Sequence, residues 1–208
     1  MDLIFFGMQG AGKGTLGKTI AAKFGLQIFE TGGELRRLAS EDSELGRKIK
    51  EIIESGNLVS NDVVMEIVEN FVLNREEDSP IIFDGIPRSV EQAKTLNALL
   101  DKHGREYKGV LLEIKRETAL ARLTTRRICP VDKRIYPASY EADTCECGTP
   151  LETRKDDNPE AIEKRLELFA TETQPAIDMY ADRLIKIDGE PTIDVVNENA
   201  LEILGKLF

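Results

Sequence analysis

Apolar runs and helical periods alternate along this chain, and the alternation predicts a layered α/β fold. Leu3-Ile4-Phe5-Phe6 is a continuous apolar run stopped by Gly7, the pattern of a strand buried on both faces. Leu16, Ile20 and Phe24 then recur every fourth residue and predict a helix over 13–24. A short strand is expected at 26–29, followed by helical patterns at 34–40, 45–55 and 62–74. A second strong run, Pro80-Ile81-Ile82-Phe83-Asp84, leads into Gly85 and Pro87. A helix at 90–102, a strand at 109–114 and a helix at 117–127 complete this stretch.

The period breaks after that. Residues 128–154 hold three Cys, three Pro and two Tyr among several charges, which reads as a small inserted unit of strands and turns. Helical spacing returns at 159–181, where Pro159 suits a first helical turn, before a strand at 183–187 and a helix at 192–207. No internal repeat or low-complexity linker is present. Five apolar strands separated by helices predict a parallel sheet covered on both faces. Ligands in such folds sit beyond the carboxyl ends of the strands, where this chain has Phe6-Gly7 and Asp84-Gly85.

The first strand end carries the strongest chemical signal. Gly7-Met8-Gln9-Gly10-Ala11-Gly12-Lys13-Gly14-Thr15 lies between a strand and a helix. Its glycines let backbone N–H groups turn inward onto phosphate oxygens, and the helix N-terminus adds partial positive charge. Lys13 reaches the terminal phosphates. The usual pattern has Ser or Thr directly after the Lys; here Gly14 takes that place and Thr15 follows, still able to face phosphate or magnesium. The bland alternative, a glycine-rich turn without a ligand, does not account for this register of Gly, Lys and Thr.

Charge narrows the reading. The 208 residues include 28 Lys plus Arg against 38 Asp plus Glu, a net charge of −10. That balance argues against non-specific binding to nucleic acid or anionic membrane. A polyanion must instead meet a local cluster of cations. No apolar run approaches the roughly 20 residues of a membrane span. The chain starts Met1-Asp2 and passes straight into an apolar run, without the basic start of a secretory signal. Three cysteines cannot all pair within one chain, so a reducing, cytoplasmic setting is expected, with metal binding as the sharper use of the thiols.

Gly12-Lys13-Gly14-Thr15, then Thr31-Gly32 and Arg36, then Asp84-Gly85-Ile86-Pro87-Arg88, and finally Thr153-Arg154-Lys155-Asp156-Asp157 with Lys164-Arg165 resemble the adenylate kinases along essentially the whole chain. The resemblance implies a P-loop NTPase-like sheet of five strands. It also implies reversible, Mg²⁺-dependent transfer of the γ-phosphoryl group of ATP to AMP, giving two ADP. It implies core segments 1–30, 61–122 and 158–208, an AMP-binding insert at 31–60 and a lid at 123–157, which closes over ATP and excludes water. By family likeness, Lys13 and Arg126 hold ATP phosphates, Arg36 and Arg88 hold the AMP phosphate, and Arg154 and Arg165 span the transferring group. Arg122 joins the ATP side, sharing a helix face with Arg126 at i, i+4 spacing. Gly10, Ala11, Gly12, Gly14, Thr15, Ile135, Tyr136 and Glu190 complete the expected ATP site. Thr31, Asn57, Leu58, Val59, Gly85, Ile86, Pro87 and Gln92 complete the AMP site, with Gln92 reading the adenine edge. Asp84 orients magnesium-bound water. Asp156 and Asp157 position arginines, cap the helix near Pro159, or do both. A monomer is the family's usual state at this size.

The chain departs from the family pattern at Gln9, where Pro is common, at Gly33, where Asp is common, and at Ile86, where Phe is frequent. None of these removes a phosphate cation. Some bacterial members carry a structural zinc in the lid. The candidate ligands here are Cys129, Asp132, Cys145 and Cys147, with Thr144 as another candidate; the alternative is a lid held by packing, with free thiols. Rival functions are a kinase for another nucleoside monophosphate, an ATP-hydrolysing switch, and a non-catalytic nucleotide sensor.

Overall fold

The computed structural model describes residues 1–74 and 79–208. The chain runs β1 (Asp2–Phe6), α1 (Lys13–Phe24), β2 (Gln27–Glu30), α2 (Thr31–Ala39), α3 (Glu44–Glu54), α4 (Asn61–Leu73), β3 (Ile81–Asp84), α5 (Val90–Lys102), β4 (Tyr107–Glu113) and α6 (Arg116–Thr125). A short antiparallel pair, β5 (Arg127–Ile128) and β6 (Ile135–Tyr136), follows. Then come α7 (Pro159–Leu168), α8 (Gln174–Asp178), β7 (Leu184–Asp188) and α9 (Ile193–Leu204).

Five strands form one parallel sheet in the order β2-β3-β1-β4-β7. Side-chain alternation explains why both faces are apolar. Ile4, Phe6, Ile81 and Phe83 enter one core with α4 and α5, while Leu3, Phe5, Ile82 and Val110 enter the other with α1 and α9. β3 and β4 flank β1 on opposite sides, so the chain changes winding direction at β1. A crevice therefore opens beyond the carboxyl ends of β1 and β3. The opposite edge is tied by buried Asp2, which accepts from the Ile81 amide at 2.8 Å and from Arg105 Nε at 2.6 Å.

Two expected helices are corrected. The predicted helix at 159–181 is interrupted by a π turn at Phe169–Thr173 before α8. Pro175 lacks an N–H and crowds the preceding turn, which widens to accommodate it. The helix expected to reach 127 ends at Thr125. The Thr124 and Thr125 hydroxyls bond back to the Leu120 and Ala121 carbonyls at 3.0 and 2.8 Å, competing with the backbone ladder. Arg126 is thus extended (φ −65°, ψ 131°), and the expected helix face shared with Arg122 does not form.

Candidate active site

The loop between β1 and α1 depends on glycine at two points. Gly7 has φ 143°, and a Cβ there would lie 2.6 Å from the Leu112 carbonyl oxygen, so only glycine lets β1 turn away beside β4. Gly12, at φ 101°, caps α1, whose first turn contains no acidic residue. Its positive end therefore meets no acidic side chain from within the helix. The Lys13 ammonium folds onto the Gly7 and Met8 carbonyls at 2.7 and 3.1 Å. Burial lowers its pKa to about 8; Asp84 opposes this, while Arg88, Arg165 and Arg126 add to it. An anion in the loop would restore the charge.

Asp84 ends β3 beside this loop. Its Oδ2 lies 3.7 Å from where a Gly14 Cβ would stand. Burial pushes the carboxyl upward, Lys13 pulls it down, and Glu30 pushes it up again. A desolvated carboxylate beside the loop is a hard oxygen donor, which fits Mg²⁺ completed by waters and phosphate oxygens.

A cleft lies beyond β2 and β3, lined by Thr31, Arg36, Gly85, Arg88, Gln92 and the run Asn57, Leu58 and Val59. Thr31 is buried and its Oγ1 has no hydrogen-bond partner. Arg88 is fixed three ways. Its Nε donates to the Gly85 carbonyl at 3.0 Å, its N–H to Gln92 Oε1 at 2.8 Å, and its carbonyl accepts from Thr173 Oγ1 at 3.0 Å. Burial lowers the Arg88 pKa to about 10, with Arg165 adding to the effect. Gln92 thus has its Oε1 oriented by the Arg88 N–H, which leaves its NH₂ group free to donate to a base. The Ile86 side chain is fully buried in the core rather than turned into the cleft, and Pro87 is buried beside it.

On the far side, a carboxylate pair organises the arginines. Asp157, whose side chain is 0% exposed, accepts from Arg126 Nε at 2.8 Å, Arg126 Nη2 at 2.6 Å and Arg165 Nη1 at 3.1 Å. Arg165 Nη1 also donates to the Asp156 carbonyl at 2.8 Å, and Asp156 Oδ2 stands 3.9 Å from Arg36 Nη1. The Arg154 Nε is buried without a partner, and burial, then Arg126 and Arg36, lower its pKa to about 10. Lys13, Arg36, Arg88, Arg126, Arg154 and Arg165 thus sense one another's charge around one cleft.

The other residues expected on the ATP side make the following contacts. Arg122 donates to the Gly189 and Glu190 carbonyls at 3.0 and 3.3 Å and ties that turn to α6. The Glu190 carboxylate caps α6 through the Lys115 amide at 2.5 Å and the Thr118 hydroxyl at 2.9 Å. Tyr136 is buried with Cys129 and Cys145 in the hairpin unit's own small core, while Ile135 is exposed. Three contributors escaped the sequence reading: Thr173, Glu30 and Asn158. Asn158 caps α7 and reaches the Glu54 carbonyl at 3.1 Å. The Asn-Pro pair signals its capping role, but nothing local signals the contact with α3.

Cys129, Asp132, Cys145 and Cys147 bring their ligand atoms within 4.8 Å of one another. The Sγ atoms of Cys129 and Cys147 are 3.6 Å apart. Tetrahedral zinc with Zn–S of ~2.3 Å has S···S edges of about 3.8 Å, so the donor set fits that ion. Among the described residues, no helix is long and apolar enough to cross a membrane.

Comparison with known proteins agrees along the whole chain. A family model described as adenylate kinase matches residues 5–185. The chain is 36% identical to the adenylate kinase of Kosmotoga olearia, with 100% of each chain covered. It is 37% identical to that of Thermotoga neapolitana, covering 98% of this chain and 96% of the other. It is also 37% identical to that of Chlamydia muridarum, covering 97% and 86%.

Proposed function

This chain belongs to the adenylate kinase family, a family of phosphotransferases, and from that premise we propose how its own residues move a phosphoryl group between ATP and AMP. One observation carries the reading: on a protein of net charge −10, a lysine and five arginines from distant segments converge on one cleft. Such a ring is costly to hold together unless anions enter it. Phosphoryl transfer needs this arrangement, because its catalysis is mostly positioning and neutralisation of charge spread over phosphate oxygens. The full-length match to adenylate kinases leaves the switch, sensor and other-monophosphate readings without support.

In this reading Lys13 and the loop amides take the ATP β- and γ-phosphates, releasing the ammonium from the Gly7 and Met8 carbonyls. Arg88, held by Gly85, Gln92 and Thr173, offers its terminal nitrogens to the AMP phosphate together with Arg36. Asp157 aligns Arg126, which spans both its oxygens, and Arg165, which shares Oδ1, so that both face the transferring group. Arg154 brings its unpartnered Nε to the same group. Asp84 and Thr15 hold Mg²⁺, which when bound offsets phosphate charge. The unpaired Thr31 hydroxyl and the Gln92 amide face the adenosine of AMP. Segment 31–60 acts as the AMP-binding insert and 123–157 as the lid; water is excluded when the lid closes, which strengthens each ion pair inside. The unit acts as a monomer in the cytoplasm, consistent with three unpaired thiols. The direct test mixes purified protein with ADP and Mg²⁺ alone. Equimolar ATP and AMP are expected; ATP hydrolysis that does not depend on AMP contradicts the reading.

The thiol cluster holds a structural zinc in the lid through Cys129, Asp132, Cys145 and Cys147. Its role is to cross-link a unit whose own core consists of little more than Cys129, Tyr136 and Cys145. Protein purified without chelator is expected to contain about one zinc per chain, and Cys145→Ser to lose it. Metal content near zero, with no rise in melting temperature on adding zinc, removes the assignment.

A further inference from the structure

We propose that Glu30 competes with the AMP phosphate for Arg36 and thereby sets the affinity for the monophosphate; this rests on the AMP-site reading above. Glu30 is the last residue of β2, in register with Asp84 of β3, so it stands at the carboxyl edge of the sheet, next in sequence to Thr31, which lines the cleft with Arg36. Its Oε1 accepts from Arg36 Nη2 at 3.1 Å. The other terminal nitrogen, Nη1, lies 3.9 Å from Asp156 Oδ2. Both ends of the guanidinium fork that a phosphate would grip are therefore already turned towards carboxylates.

The local backbone builds this contact. The Arg36 guanidinium lies flat over Gly32, where a Cβ would sit 3.1 Å from Nη1. The Glu30 side chain lies over Gly33, where a Cβ would come within 3.5 Å of its carboxyl carbon. Two adjacent glycines in the first turn of α2 thus leave room for the acid on one side and the guanidinium on the other. The pair is partly solvated, with 33% of the Arg36 and 46% of the Glu30 side chain exposed. A solvated pair of this kind is weak, whereas a carboxylate beside a phosphate dianion repels it at short range. When AMP enters, the repulsion outweighs the help that Glu30 gives in orienting Arg36. Glu30 holds Arg36 while the site is empty and opposes its use when the site is filled.

The test measures KM for AMP and for ATP, and direct titration of AMP onto the full chain, for Glu30→Gln, Arg36→Ala and the double variant. Glu30→Gln is expected to lower KM for AMP about fivefold, with KM for ATP unchanged. In the Arg36→Ala background that gain shrinks below about twofold, because the contested donors are gone. An unchanged or higher KM for AMP in Glu30→Gln overturns the competition, as does an equal gain without Arg36. The underlying site assignment has its own readout. If Arg36→Ala leaves KM for AMP unaltered, the AMP-site reading fails, whatever Glu30 does.

Discussion

Replacing Lys13 by Met lowers turnover by at least about a thousandfold and leaves folding stability within about 1 kcal/mol of the parent. A thousandfold corresponds to about 4 kcal/mol of lost transition-state stabilisation, the scale set by removing one fixed cation from a transferring phosphoryl group. Stability moves little because two effects oppose each other. The ammonium is partly buried, and burial lowers its pKa from 10.5 to about 8, so the protonated form weighs against the native state. Its hydrogen bonds to the Gly7 and Met8 carbonyls offset part of that. Met fills a similar volume without the charge.

The sign with pH follows from the same shift. Below pH 8 both folded and unfolded chains hold the proton, and the native state carries the full desolvation penalty. Between 8 and 10.5 the unfolded chain still holds the proton and the native one has lost it, so stability rises with pH. Denaturant melts of parent and Lys13→Met at pH 7 and pH 9.5 read this directly: the parent gains on the variant at the higher pH. If the variant unfolds at neutral pH, Lys13 is a structural strut and not a waiting phosphate ligand.

Much of this site is legible in the sequence because it is local. An apolar run, glycines at fixed offsets and a lysine specify strand, loop and helix within the first two dozen residues, and β1, the loop and α1 follow that order. Asp84 is legible for a related reason: a charge at the end of a buried run is conspicuous. Other features depend on contacts that no local pattern encodes. Thr173 reaches Arg88 across 85 positions, and Arg122 reaches Gly189 across 67. The π turn places Thr173, and the sequence shows only the proline that provokes it. The periodicity of 117–127 places Arg126 on a helix. The side chains of Thr124 and Thr125 end that helix earlier, and the extended backbone at Arg126 turns its guanidinium towards Asp157. Glu30 and Arg36 lie six residues apart, yet the pair becomes visible only once α2 starts at Thr31 rather than at 34.

Asp157→Asn is expected to destabilise the empty protein by about 3 kcal/mol and to cut turnover at least tenfold. The carboxylate is fully buried and serves two guanidinium groups at once, Arg126 and Arg165, whose side chains are 11% and 12% exposed. Replacing it by an amide keeps the shape and one acceptor but leaves both cations short of charge, in a neighbourhood that also holds Arg88, Arg154 and Lys13. Breaking a buried pair typically costs about 3–5 kcal/mol; the slight exposure of both arginines puts this case at the lower end. For a chain of this size the melting temperature should fall by roughly 6–12 °C. A purely structural aspartate and one that stands in the phosphate cluster differ in how ligand affects the loss. Nucleotide phosphates entering the ring supply the missing negative charge, so ADP with Mg²⁺ should raise the melting temperature of Asp157→Asn by more than it raises that of the parent. A variant that melts within about 1 °C of the parent contradicts the charge argument. One that melts low and gains no more from ADP than the parent places Asp157 outside the nucleotide's electrostatic reach, and with it the ring of cations.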